Sequence, residues 1–310
     1  MTESLTAPLT IAGFIKELEK EMAKATKDSY TAEQLERLQS LARDYEGDDK
    51  VISSFDILER MKNKPPEKKI MSGYRGLDAI LDGFREKQLV VISAATKSGK
   101  TSFCIDITVR IKDENPLWLP FEEPAEELIQ KFLDRGDQPP LFYTPERMTG
   151  NTLVWVEKKI IEAKAKYNSR VVFIDHLHFI VPITADRQDL AIGYAMRELK
   201  RMAKQWGVVV VLIAHLKKTK VETQPDIEDL RDSSFIAQEA DTVIMLWRET
   251  MRENGKVIIT NNINVSVQAN RRTGKTGNFQ MVYDKGVFRE IDWEHSAEPT
   301  DKEWEASDEF

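Results

Sequence analysis

Cysteine is almost absent from this sequence. A single thiol, Cys104, in 310 residues excludes an internal disulfide and any zinc module built on cysteine pairs. Histidine is scarce too, and four scattered residues argue against a histidine-rich metal site. No run approaches the ~18 uncharged apolar residues that mark a membrane-spanning helix. The first residues, MTESLTAPLTIAGF, lack the basic start of a secretory signal and the arginine-rich character of a transit peptide. The expected compartment is the cytoplasm. Internal repeats and low-complexity tracts are missing as well.

A surplus of positive charge is also lacking, but the net charge of −7 is unevenly placed. Residues 291–310 hold eight acids against Lys302, which leaves 44 basic and 44 acidic residues in 1–290. The body is neutral, so the acidic balance is no argument against nucleic-acid binding. With 41% hydrophobic and 31% charged residues, the composition is that of a globular chain able to bury a core.

Residues 1–64 read as a helical arm. IAGFIKELEKEMAK has apolar positions at helical spacing, TAEQLERLQSLARDYE opens on a Thr31–Gln34 capping pair, and SFDILERMKNK predicts a third short helix. Pro65 and Pro66 stop it and begin a linker over 65–69. So little apolar helix buries little by itself, and the arm is expected to pack on something else, such as a neighbouring subunit.

From residue 70 the pattern changes to continuous apolar runs: 88–94, 117–121, 170–175, 208–215, 242–247 and 263–270. Strands buried on both faces have this character, and helical stretches separate the early ones. The alternation predicts an α/β fold with a mainly parallel sheet over 70–294, and antiparallel hairpins near 279–291. Residues 295–310 hold almost no aliphatic side chains and are expected to be disordered.

Ligands of open parallel sheets bind beyond the carboxyl ends of the strands, so the polar residues ending each run carry the chemistry. The first run leads into AATKSGKT, where Gly99, Lys100 and Thr101 match the end of a phosphate-binding loop while Ala94 stands where that pattern asks for glycine. Such a loop and the helix after it hold phosphate on backbone N–H groups, with Lys100 on the β/γ oxygens and Thr101 on Mg²⁺. A plain strand–turn–helix is the competing reading. The run 170–175 ends in Asp175, placed as a carboxylate that holds Mg²⁺ through water. The run 117–121 ends in Glu122 and Glu123, either of which has the chemistry to activate a water. The run 208–215 ends in His215, a candidate sensor of the γ-phosphate.

Taken together these residues resemble the ring-shaped replicative DNA helicases with a RecA-like P-loop NTPase core: DnaB, mitochondrial Twinkle and the helicase half of phage primase–helicases. The resemblance covers roughly residues 70–291. In that family the phosphate loop often begins with alanine, as at Ala94, and it implies nucleotide contacts from Ala94, Ala95, Thr96, Lys97, Ser98, Gly99, Lys100, Thr101 and Ser102, joined by Gln238 and Tyr283. It selects Glu122 in PFEEP as the catalytic glutamate, Asp175 in FIDHLHF and Thr101 as the magnesium ligands, and His215 in IAHLKK as the sensor. Ala94 then reads as a branch marker with ordinary negative φ, and the turn is expected around Lys97–Gly99.

DLRDSSFIAQEAD, residues 229–241, is similar to a family motif that touches the single strand. It implies DNA contacts by Arg231, Asp232 and Ser234, the last replacing the usual glycine. Lys217, Lys218 and Lys220 form a basic loop suited to phosphates. QANRRTGKTGNF resembles the arginine-finger strand, with Arg271 reaching a neighbour's nucleotide; the family's accompanying lysine is Ala269 here, so Arg272 or Lys275 is an alternative. The tail EWEASDEF resembles the acidic, aromatic-ended tails of phage primase–helicases, which implies that Trp304 and Phe310 bind a DNA polymerase or another basic replisome protein.

The resemblance thus implies a hexameric homo-oligomer driven by Mg²⁺ with ATP or dTTP. It would translocate on single-stranded DNA and unwind forked DNA 5′ to 3′, as a phage protein in a bacterial host's cytoplasm, with priming left to a separate primase. A RecA- or KaiC-like ATPase, or an NTP-binding adaptor or loader, is the alternative.

Overall fold

The computed structural model describes residues 32–43, 45, 47, 50–63, 68–94, 98–136, 138–181, 188–216, 224–229, 233–253 and 256–291, together with Gly13, Lys16, Glu17 and Lys20. By its contacts the chain divides into two units, Met1–Pro66 and Glu67–Phe310.

In the first unit, helices α1 (Ala32–Arg43) and α2 (Ser54–Asn63) appear where helical periodicity predicts them. The Thr31–Gln34 capping pair falls outside the described side chains. A reciprocal cap absent from the sequence reading starts α2: the Ser53 N–H donates to Asp56 Oδ2 at 2.9 Å, and the Asp56 N–H donates to Ser53 Oγ at 3.1 Å. No α2 side chain is buried.

The second unit begins with a small antiparallel pair, β1 (Lys69–Ile70) with β2 (Phe84–Arg85), around helix α3 (Arg75–Leu81). The main sheet follows, with helices between its early strands: β3 (Leu89–Ala94), α4 (Lys100–Arg110), β4 (Leu117–Pro120), α5 (Ala125–Asp134), α6 (Leu153–Tyr167), β5 (Val171–Asp175), α7 (Gln188–Trp206), β6 (Val209–His215) and α8 (Ser233–Glu239). It is completed by β7 (Thr242–Glu253), β8 (Lys256–Asn270), β9 (Gly277–Asp284) and β10 (Val287–Glu290). Its eight strands run in the order β10-β9-β8-β7-β3-β6-β5-β4. β7, β3, β6, β5 and β4 are parallel, and β8, β9 and β10 extend one side antiparallel.

Both faces of the parallel strands are covered, which is why they read as unbroken apolar runs. Alternate residues go to opposite cores. Val90, Ile92 and Ala94 of β3 pack with Phe103 and Ile107 of α4, Phe132 of α5 and Phe288 of β10, whereas Leu89 and Val91 pack with Ile160 of α6, Met196 and Leu199 of α7 and Ile236 of α8.

The runs 242–247 and 263–270, read as separate short strands, are the inner parts of one long hairpin. β7 pairs with β8 from Thr242↔Asn270 outward to Glu253↔Lys256, with register shifts between Val243/Ile244 and Arg248/Thr250. The sequence reading missed its signal, Asn254-Gly255, a pair suited to a tight hairpin turn; these two residues lie outside the described set.

Trp118 anchors the first core. It is fully buried, stacks on Phe173 with centroids 4.7 Å apart, and its Nε1–H donates to Thr108 Oγ1 at 3.0 Å. Trp118→Ala is expected to lower unfolding free energy by ~3–5 kcal/mol, measured by denaturant titration; a loss below ~1 kcal/mol would show that the core closes over the gap.

Candidate active site at the strand ends

The strand order places β6 between β3 and β5, with β4 beyond. Ala94 of β3 is level with His215 of β6, and Asp175 of β5 is level with Ile213 and Pro120. Four carboxyl ends therefore meet along one edge of the sheet. Ala94 is the last residue of a fully buried strand and has no positive φ. The left-handed residue is Gly99, with φ 91° at the start of α4, where a side chain would be strained. The loop needs its glycine there and not at position 94. Ala95, Thr96 and Lys97 lie outside the described residues.

Lys100 is buried and its Nζ donates to the Ala94 carbonyl at 3.3 Å. Burial pulls its ammonium below the usual lysine value, and the charges of Asp175 and Glu122 oppose that shift. Thr101 Oγ1 donates to Asp175 Oδ2 at 2.8 Å. Asp175 is only 2% exposed and its Oδ1 is buried without a hydrogen-bond partner. Burial, with the charges of Glu122 and Glu123 adding to it, raises its pKa to about 6, against the lowering effects of Thr101 and Lys100. A buried hydroxyl–carboxylate pair with an unmet oxygen is short of positive charge, and hard oxygen donors suit Mg²⁺.

The backbone fixes the carboxylate after β4. The Phe121 and Glu122 N–H groups both donate to the Asp175 carbonyl, at 2.7 and 3.1 Å. Glu123 turns aside into an ion pair with Lys131. Glu122 faces the other way, its Oε2 3.8 Å from both His176 Nε2 and His215 Nε2. The two imidazoles meet edge to face, with centroids 4.4 Å apart. His176 is the residue that sequence reasoning left out of the site. Its signal was adjacency, since it follows the strand-ending aspartate directly. The histidines read as scattered are also regrouped: His176, His178 and His215 share this edge, because β5 and β6 are neighbours in the sheet though distant in sequence.

Other sequence-selected residues lie elsewhere. Ser98 is buried in the loop and Ser102 lies in the first turn of α4. Tyr283 approaches the loop indirectly: it packs on Phe288 at 5.1 Å, and Phe288 lies against Gly99, where an added Cβ would meet it at 3.4 Å. The Arg248 guanidinium stands 4.9 Å over the Tyr283 ring. Gln238 is exposed near the end of α8, three residues before Asp241. Arg271 is exposed just after β8, where its N–H donates to the Asp241 carbonyl at 2.8 Å. Asp241 in turn accepts from the Leu89 N–H, so Arg271 sits at the opposite edge of the sheet from Lys100. Arg272 is held inside the chain by Leu81 O at 2.9 Å and Asp82 Oδ2 at 3.2 Å, and Lys275 is exposed. Lys217, Lys218, Lys220, Arg231 and Asp232, the side chain of Ser234, and Trp304 and Phe310 fall outside the described residues.

Comparison with known proteins identifies the family. The profile of the DnaB-like helicase C terminal domain matches residues 69–141 and 138–290. The chain belongs to this family. It is 23% identical over 293 residues to a probable replicative DNA helicase of Trieres chinensis, covering 78% of this chain and 63% of that protein. It is 22% identical to the replicative DNA helicase DnaB of Pasteurella multocida, covering 79% and 59%, and 23% identical to the replicative DNA helicase DnaC of Bacillus subtilis, covering 76% and 60%. The chain thus spans about three fifths of the length of these curated relatives. Among solved structures, an isolated ATPase domain aligns with TM-score 0.63 and 21% identity, over 77% of this chain and 97% of that one. A DnaB-like replicative helicase, described with its primase interactions, aligns with TM-score 0.65 and 18% identity over 91% and 75%. At these identities the structural likeness speaks for the RecA-like fold. Among the described residues no helix is long and apolar enough to cross a membrane.

Asp175 gives a pH prediction. Its folded pKa lies above the unfolded carboxylate value, so the folded state holds the extra proton between the two. Its contribution to stability is therefore lost as pH rises toward and through about 6. Thermal unfolding of the nucleotide-free protein should show Asp175→Asn gaining on wild type from pH 4 to pH 8. A difference independent of pH would contradict the raised value.

Proposed function

We propose that this chain is the motor part of a replicative DNA helicase, which hydrolyses a nucleoside triphosphate to move along single-stranded DNA. One observation carries the reading: Lys100, Thr101, Asp175, Glu122 and His215 converge on one sheet edge, around a buried carboxylate oxygen that has no partner. The names of the curated relatives support the biological setting.

The loop from Ala94 to Ser102 wraps the phosphates of ATP or dTTP, and Gly99 lets the backbone approach them at the start of α4. Lys100 neutralises the terminal phosphates. Thr101 and Asp175 hold Mg²⁺, which supplies charge stabilisation at the phosphate oxygens. Glu122, half exposed and not tied up by a lysine as Glu123 is, accepts the proton of the attacking water. His215 reads the state of the terminal phosphate from the neighbouring strand end. Arg271 cannot serve its own site from the opposite sheet edge. That placement supports action on the site of a neighbouring copy, in a ring, where an arginine stabilises charge developed during phosphoryl transfer. Arg272, already bonded within its own chain, is the less available of the pair.

In this reading Lys217, Lys218, Lys220, Arg231, Asp232 and Ser234 contact the strand, Gln238 links them to the nucleotide state, and Tyr283 borders the nucleotide beside Phe288. The span 70–294 is the motor, 1–64 an arm joined by 65–69, and the acidic tail from 295 meets a basic replisome partner through Trp304 and Phe310. The protein works in the cytoplasm.

Forked-DNA unwinding with parallel hydrolysis assays tests the proposal. Glu122→Gln should lower kcat roughly 10²–10⁴-fold while nucleotide binding persists, and Lys100→Ala should weaken nucleotide binding itself. Unwinding that survives either change would end the motor assignment. Deleting residues 295–310 should spare hydrolysis and weaken capture of a basic partner.

A further inference from the structure

Two of the chain's four histidines, His176 and His215, stand beside Glu122, and a third, His178, packs on His176, in a protein whose single cysteine is buried elsewhere in the core. Glu122, His176 and His215 each offer one donor atom, and the three atoms lie within 4.8 Å of one another. We propose that these three side chains form a binding site for a divalent transition-metal ion of the zinc class, and that its occupation shuts down nucleotide hydrolysis by taking Glu122 out of use. The second half rests on the role assigned to Glu122 above; the first does not.

Two imidazoles and one carboxylate are a donor set for zinc with a fourth position left for water. Zinc bonds of about 2.0–2.2 Å in tetrahedral geometry set donor atoms about 3.3–3.6 Å apart. Both Nε2···Oε2 separations are 3.8 Å, so small rotations close the site. The freedom to move is present because Glu122 is 47% exposed while the histidines are held by their strand ends. The Asp175 carboxylate lies on the same edge, opposed by the buried Lys100, while Glu123 is neutralised by Lys131. His176 also lines a cavity of about 830 Å³ beside the starts of α6 and α7.

The donors separate this site from the magnesium position. Mg²⁺ takes oxygen ligands and keeps its water, so Thr101 and Asp175 suit it, whereas imidazole suits zinc, cobalt and nickel. One local cost follows from the geometry. His176 Nδ1 accepts a 3.3 Å hydrogen bond from the His178 N–H, and ligation through Nε2 places a proton on Nδ1, so that bond must open. The site is accordingly a reversible one, weaker than a structural zinc centre. Metal binding locks Glu122 as a ligand and removes the carboxylate that would accept the proton of the attacking water.

The test begins with Co²⁺ added to the nucleotide-free full chain. Four-coordinate Co²⁺ absorbs visible light far more strongly than the hydrated ion, so one equivalent should develop a spectrum that Zn²⁺ abolishes. His176→Ala should lose it, as should His176→Gln, with circular dichroism confirming both folds. Hydrolysis is then followed at saturating Mg²⁺–ATP with free Zn²⁺ set by a metal buffer. Wild type should be inhibited, and His176→Ala should need roughly tenfold more free Zn²⁺ for the same fractional loss. No spectrum, or one that survives both His176 variants and His215→Ala, overturns the metal site and leaves the motor reading intact. A His176-dependent spectrum without inhibition keeps the metal site and overturns the role given to Glu122.

Discussion

Burial of the parallel strands on both faces is the constraint on which the rest of this structure depends. With helices α4 and α5 on one side and α6, α7 and α8 on the other, the strand interiors accept almost nothing but apolar side chains. The polar and charged groups of the strands and their adjoining loops gather at the two edges where strands begin and end. At the carboxyl edge these are Lys100, Thr101, Asp175, Glu122 and His215; at the amino edge Asp241 pairs with Lys200 and leads to Arg271. The same burial raises the pKa of Asp175 and disfavours the charged form of Lys100, so the two charges of the proposed nucleotide site owe their environment to core packing.

Strand order turns this edge into a site. Because β6 is inserted between β3 and β5, the loop after β3 and the carboxylate that ends β5 are bridged by the His215 strand. The Asp175 carbonyl accepts two N–H groups from the turn after β4 and so draws Glu122 against both histidines. One backbone oxygen thus links the proposed magnesium carboxylate to the proposed water-activating carboxylate. The length of β3 separates the two edges, which keeps Arg271 away from Lys100 of its own chain and underlies the proposal that it acts on a neighbouring copy.

Much of this was legible in the chain. Unbroken apolar runs announced buried parallel strands, and the polar residue closing each run identified the candidate site. The choice between Glu122 and Glu123 was not legible from the residues, since both follow the same strand. The Lys131 ion pair that removes Glu123 depends on α5 folding back over eight residues. The long β7–β8 hairpin was missed because its outer strands face solvent: β7 turns polar after Trp247, and the short apolar run Val257–Ile259 of β8 is exposed and separated from the inner run by Thr260, Asn261 and Asn262.

By itself, then, the sequence determined the class of fold, the phosphate-loop ending and the set of strand-end polar residues, because burial and backbone geometry restrict which residue types can stand there. Only the tertiary structure decided which of those ends become neighbours. His176 and His215 lie far apart along the chain, and their scarcity argued against a histidine site. Hydrogen bonding of β5 to β6 sets their rings 4.4 Å apart around Glu122, because pairing in a parallel sheet ignores sequence distance.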